Sequence, residues 1–321
     1  MGASRYHQKD ACRRFVENVR VEPPCRKPPK NRARFWPNGG AFFPVTRLLA
    51  DCAMSVPTGA LPGNWIADAP SRRRIRVEIL LVLGLSLGAS AVYSIVSIVN
   101  SLTLAKPLAS QTATLNGSLS SREVFDFIYQ FLAIFFDLVP VALVAFLLWQ
   151  GSRPHLGRLG LEFRKPGRDL LLGLGLALAI GIPGIGVYLG SKALGLGVTV
   201  VPSGIDEYWW TVPILVLSAL RSALQEELIV VGYLFARLRD LGWKTWPIIL
   251  TAAALRGSYH LYQGFGAFVG NFAMGVLFGW LYTRYGRVLP LIIAHFVIDT
   301  AIFVGYPWAV SVFPALFGVP R

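Results

Sequence analysis

Seven apolar segments, near 78–101, 124–149, 170–194, 208–236, 246–265, 267–284 and 288–305, leave this chain few ways to fold. Each reaches roughly the 18 to 20 residues an α-helix needs to cross about 30 Å of hydrocarbon. A shorter one, Trp308 to Val319, is either an eighth span or a partly inserted tail. With 54% hydrophobic residues, 15% charged ones and a mean hydropathy of +0.52, the apolar content exceeds what a soluble core absorbs. The pattern predicts an all-α, polytopic transmembrane bundle of 7–8 helices. It excludes a disordered chain, a disulfide-stapled secreted domain and a soluble nucleotide-binding enzyme, so the run around Gly173 and Gly175 is no phosphate loop.

The net charge of +14 suggests nucleic acid until it is located. Residues 1–76 hold 15 Lys/Arg against 5 Asp/Glu, a net +10, in a Pro- and Arg-rich tail that carries Cys12, Cys25 and Cys52. We read 1–76 as a disordered tail and 77–321 as the transmembrane domain, with no nucleic-acid partner. The cysteines are too sparse for a zinc motif. Met54 is an alternative start. No signal peptide precedes the tail, and Arg72, Arg73, Arg74 and Arg76 are expected to hold the N-terminus in the cytoplasm, most simply at the plasma membrane. Alternate loops then carry the basic residues: Arg153, Arg158, Arg164, Lys165 and Arg168; Arg237, Arg239 and Lys244; Arg284 and Arg287. The pairs Gly84/Gly88 and Gly275/Gly279 predict close helix packing, and Pro183 a kink. Trp209, Trp210, Trp243 and Trp308 read as interfacial anchors.

The segments are not purely apolar. An intramembrane charge costs about 2.5–3.5 kcal/mol on insertion scales, so each needs a partner or a function. The fourth segment holds Arg221, Gln225, Glu226 and Glu227, the fifth Arg256 and His260, the sixth Asn271, the seventh His295 and Asp299. Counting at 1.5 Å per residue from the nearest basic anchor puts Glu226 at about 17 Å, Arg256 and Asp299 at about 18 Å, His260 at about 24 Å and His295 at about 12 Å. Groups from three helices therefore share the middle of the bilayer. His295 and Asp299, four apart, face the same way, so the carboxylate can fix the imidazole. Asp137 either bonds a neighbouring helix or lines a substrate path; Asn271 is expected to bond between helices. His7 and His155 read as surface residues.

The stretch Glu226-Glu227-Leu228-Ile229-Val230-Val231-Gly232-Tyr233-Leu234, followed by His260 and by His295-x-x-x-Asp299, resembles the CPBP family of CAAX-protease and bacteriocin-processing intramembrane endopeptidases, over roughly 165–305. Two positions depart from the family pattern. It usually has Arg four residues after the second Glu, where this chain has Val231, and Phe four residues before the first His, where this chain has Arg256. One helix lost an arginine and its neighbour gained one. Arg256 is thus a candidate substitute cation, or merely a neutralising one, with Arg221 as the alternative.

The resemblance implies Glu226 as general base, Glu227 as its tuning neighbour, His260 holding the water, His295 serving the oxyanion or the water, and Asp299 orienting His295. The family is often called a metalloprotease, and a divalent metal such as zinc would suit two His and two carboxylates; no His-Glu-x-x-His segment demands one. The expected substrate is a membrane-inserted or lipidated peptide in the bilayer. Two other readings stand beside it: an inactive scaffold or immunity protein, for which Val231 speaks, and a secondary transporter, against which the lack of an inverted repeat speaks.

Overall fold

The computed structural model describes residues 71–148, 160, 161, 163 and 165–312. Residues 1–70 of the basic tail, with its three cysteines and His7, as well as His155 and the residues after Val312, lie outside them; the end of the tail, Arg72, Arg73, Arg74 and Arg76, instead opens the first helix. Helices dominate: α1 (Arg72–Gly84), α2 (Leu87–Thr103), α3 (Glu123–Asp137), α4 (Val139–Leu147), α5 (Pro166–Ala193), α6 (Thr211–Glu226), α7 (Leu234–Asp240), α8 (Thr245–Ser258), α9 (Phe265–Tyr285), α10 (Leu289–Thr300) and α11 (Tyr306–Val312). The spans 123–147, 166–193, 265–285 and 289–308 are long and apolar enough to cross a membrane, and α1 with α2, bent by 57°, qualifies as a pair. The chain is an integral membrane protein. Outward side chains such as Leu80, Tyr93, Phe136, Phe146, Leu171 and Ile182 are exposed, as a lipid-facing surface requires.

The fourth expected segment is helical, but α6 and α7 are joined by a π turn over Glu227–Tyr233. This i→i+5 geometry is rare and concentrates at functional sites. The fifth is shorter than expected. Helix α8 stops at Ser258, and His260 begins a single 3-10 turn, Leu261–Gln263, so His260 lies on a loop and not in a helix. Gly264 ends that turn at φ +101°, and a Cβ there would lie 2.7 Å from the Gly197 Cα, so only glycine permits the approach.

The architecture is not wholly α. Two loops contribute β1 (Thr112–Gly117) and β2 (Thr199–Gly204), which pair in parallel with Thr112 opposite Thr199 and Gly117 opposite Gly204. Gly275 bears out its packing role: a Cβ would meet the Ala253 Cα at 2.9 Å and the Arg256 Cδ at 3.3 Å. At Gly279 it would meet Phe235 at 2.9 Å. Gly84 meets nothing among the described residues, whereas a Cβ at Gly88 of α2 would meet the Leu83 carbonyl oxygen of α1 at 2.7 Å across the local bend. Trp209, Trp243 and Trp308 are exposed. Trp210 is not: it is 2% exposed, with Phe127 and Tyr208 at ring distances of 5.6 and 5.1 Å, because it opens α6 against an aromatic cluster. Helix α5 continues through Pro183.

Polar ties fasten the bundle. Arg237 donates to Glu78 at 2.7 Å and to the Leu147 carbonyl at 2.8 Å, joining α7 to α1 and α4. Arg287 pairs with Asp169 at the head of α5.

Candidate active site

Glu226 is the last residue of α6 and Glu227 the first of the π turn, so the change of helical pitch falls on the glutamate pair. Arg256 lies in the last turn of α8 and His295 in the middle of α10. Glu227 and Arg256 are fully buried, His295 is 3% exposed, and Glu226 7%.

One guanidinium nitrogen ties them together. Arg256 Nη2 lies 2.6 Å from Glu227 Oε1, 3.1 Å from Glu226 Oε2 and 3.0 Å from His295 Nδ1. His295 Nδ1 is also 2.9 Å from Glu227 Oε1. Nη2 has two hydrogens for three neighbours. Given to the two carboxylates, they leave His295 Nδ1–H to donate to Glu227, so each of the four groups has a partner at this junction. His295 Nε2 then points to Asp299 Oδ2 at 3.5 Å and to Glu226 Oε2 at 4.0 Å. The Arg256 Cζ stands 5.3 Å from the Phe278 ring centroid, and the glycine at 275 leaves room for the arginine stem.

The two glutamates differ. Glu226 Oε2 is held by Arg256 and by the Tyr259 hydroxyl, which donates at 2.8 Å. Glu226 Oε1 faces His260 Nε2 at 3.9 Å. Gln263 donates its amide N–H to His260 Nδ1 at 3.2 Å, which places the His260 hydrogen on Nε2, a buried atom with no hydrogen-bond partner among the described residues. Glu227 Oε2 and Arg256 Nε and Nη1 are likewise buried without one, an accumulation of unsatisfied polar atoms that a structural core avoids.

Of the residues singled out in the sequence, the fold gathers Glu226, Glu227, Arg256 and His295, with His260 and Asp299 at the rim, where their side chains are 19% and 17% exposed. Asn271 stays apart: its amide donates at 3.0 Å to the Ala267 carbonyl of its own helix, not across to another. Arg221 pairs with Asp137 and donates to Ser218 and Ser222, so it does not serve the glutamates. Val231 is 2% exposed within the π turn. Tyr259 and Gln263 were not read as site residues, although a tyrosine beside His260 in an otherwise small, apolar stretch was a visible signal.

Among the described residues no group of three His, Cys, Asp or Glu side chains is arranged to hold a metal ion, and the Arg256 guanidinium lies between the two carboxylates.

These features define a helical membrane protein with a buried carboxylate–guanidinium–imidazole site. Residues 208–301 match the family described as type II CAAX prenyl endopeptidase Rce1-like. The match spans the glutamate pair and both histidines and supports the resemblance to the CPBP/CAAX protease family. No curated protein and no solved structure matches it.

Proposed function

We propose that the chain is an intramembrane endopeptidase in which Glu226 activates water against a peptide bond of a membrane-inserted or lipidated substrate, at the plasma membrane with its N-terminus cytoplasmic. The observation that carries this reading is the asymmetry of Glu226. Its Oε2 is held by two donors, while Oε1 is turned to an unpartnered imidazole N–H 3.9 Å away. A water about 2.8 Å from both atoms would see them at roughly a right angle, within hydrogen-bonding range.

Glu226 Oε1 takes a proton from that water as its oxygen bonds to the carbonyl carbon. His260 Nε2–H donates to the carbonyl oxygen as it gains charge. Collapse breaks the C–N bond, and the proton on Glu226 passes to the departing amine. Arg256 holds the Glu226 carboxylate through Oε2 and keeps Glu227 paired; His295, backed by Asp299, holds Glu227 from the other side. Every step uses groups of this chain, and none requires a metal. The test is cleavage of membrane-fraction peptides by purified protein, with Glu226→Ala as control. Cleavage that persists in the alanine variant rejects the assignment.

A further inference from the structure

The two paired loops carry a sheet edge whose hydrogen-bonding groups are unused, and we propose that it receives the substrate backbone as an added strand; this rests on the proteolytic reading above. Thr199 N donates to Gln111 O at 2.9 Å, which sets the alternation of the parallel ladder. Ala113 and Leu115 turn their amides and carbonyls to β2, and Thr112, Thr114 and Asn116 turn theirs outward; the Gly117 carbonyl accepts from Gln130 Nε2 at 2.8 Å. Among the described residues those outward backbone groups have no hydrogen-bond partner.

The opposite edge is closed. Pro202 has no N–H to offer, and the Val200 amide is taken by the Tyr188 hydroxyl at 3.4 Å. Proteins commonly guard an open edge with lysine, proline or a bulge, and Thr112-Ala113-Thr114-Leu115-Asn116-Gly117 contains no such guard. Both ends of the sheet are fastened to the catalytic elements. At one end the Val198 amide donates to the Gln263 carbonyl at 3.4 Å, and Gln263 holds His260. At the other the Ser218 hydroxyl of α6 donates to Asn116 Oδ1 at 2.9 Å, eight residues, or about 12 Å, before Glu226.

The matching ligand is a peptide segment in extended form. A helical substrate must unwind before its peptide bond can be attacked, and in an apolar medium each freed N–H and C=O needs a new partner. The edge strand supplies them every second residue, reading backbone and not side chains.

Binding and cleavage separate the two claims. A bead-bound library of ten-residue peptides is panned against the Glu226→Gln protein in detergent, and the tightest binder is labelled with fluorescein for anisotropy. Thr114→Pro removes one outward N–H and leaves the ladder intact, so it should weaken binding about tenfold, the scale of a lost hydrogen bond with added steric conflict. Should that variant unfold, N-methylation of the peptide at successive nitrogens decides alone, since an added strand predicts sensitivity at alternate positions. The absence of any binder, unchanged binding by folded Thr114→Pro, or sensitivity without alternation overturns the proposal. Cleavage of the same peptide by the native protein reports on the proteolytic reading separately.

Discussion

Replacing Arg256 by Phe removes the one arginine that, among the described residues, touches both glutamates, and exposes how the site is held together. Two carboxylates would remain at a position where the Glu227 side chain has no solvent contact and the Glu226 side chain only 9%. Breaking a buried pair in this way costs about 3–5 kcal/mol, because the partner charge is left uncompensated. At about 2–4 °C per kcal/mol the variant should unfold about 6–20 °C below the parent. Tryptophan fluorescence on heating in detergent measures this. Combining Arg256→Phe with Val231→Arg returns a cation one turn from Glu227 and should recover about half of the lost stability, with part of the activity. An Arg256→Phe protein that melts within about 2 °C of the parent, or a double variant no better than the single one, would refute the reasoning.

Other consequences follow from single contacts. Tyr259→Phe deletes the hydroxyl that fixes Glu226 Oε2 at 2.8 Å and should lower kcat about tenfold at nearly unchanged KM, read by steady-state kinetics. Gly275→Val drives a side chain toward Ala253 and the Arg256 stem, and should cost about 1–3 kcal/mol in thermal unfolding. Asp137→Asn loosens a pair whose side chains are 45% and 25% exposed, so stability should change by less than about 1 kcal/mol and cleavage should persist.

Much of the site was legible because membrane burial makes each ionisable residue conspicuous. Depth counting groups Glu226, His260, His295 and Asp299, which lie within 3.5–4.0 Å of a neighbour in the set, and the exchange of Val231 for Arg256 points to the guanidinium found between the glutamates. Asn271 failed the same logic, since a buried amide can be satisfied by its own helix. Features made by backbone geometry were hidden. Nothing in Glu227–Tyr233 announces a π turn, and residues 112–117 are too short and too mixed to declare a strand that depends on pairing with 199–204. Apolar content continues past Ser258 and so extends the expected helix through His260, whereas the close approach of Gly264 to Gly197 turns the chain. Trp210 shows the limit of the interfacial rule: position near a segment end does not decide whether a ring faces lipid or a neighbouring helix.

The central claim, that Glu226 is the base, is tested most directly by supplying the base from outside. Glu226→Ala should cleave a peptide substrate at less than about a hundredth of the parent rate, the usual contribution of a positioned base. Sodium formate, small enough to occupy the site beside Arg256, should raise that rate in a saturable way, whereas sodium chloride should not. An alanine variant that keeps more than about a tenth of the parent rate without formate would contradict the account.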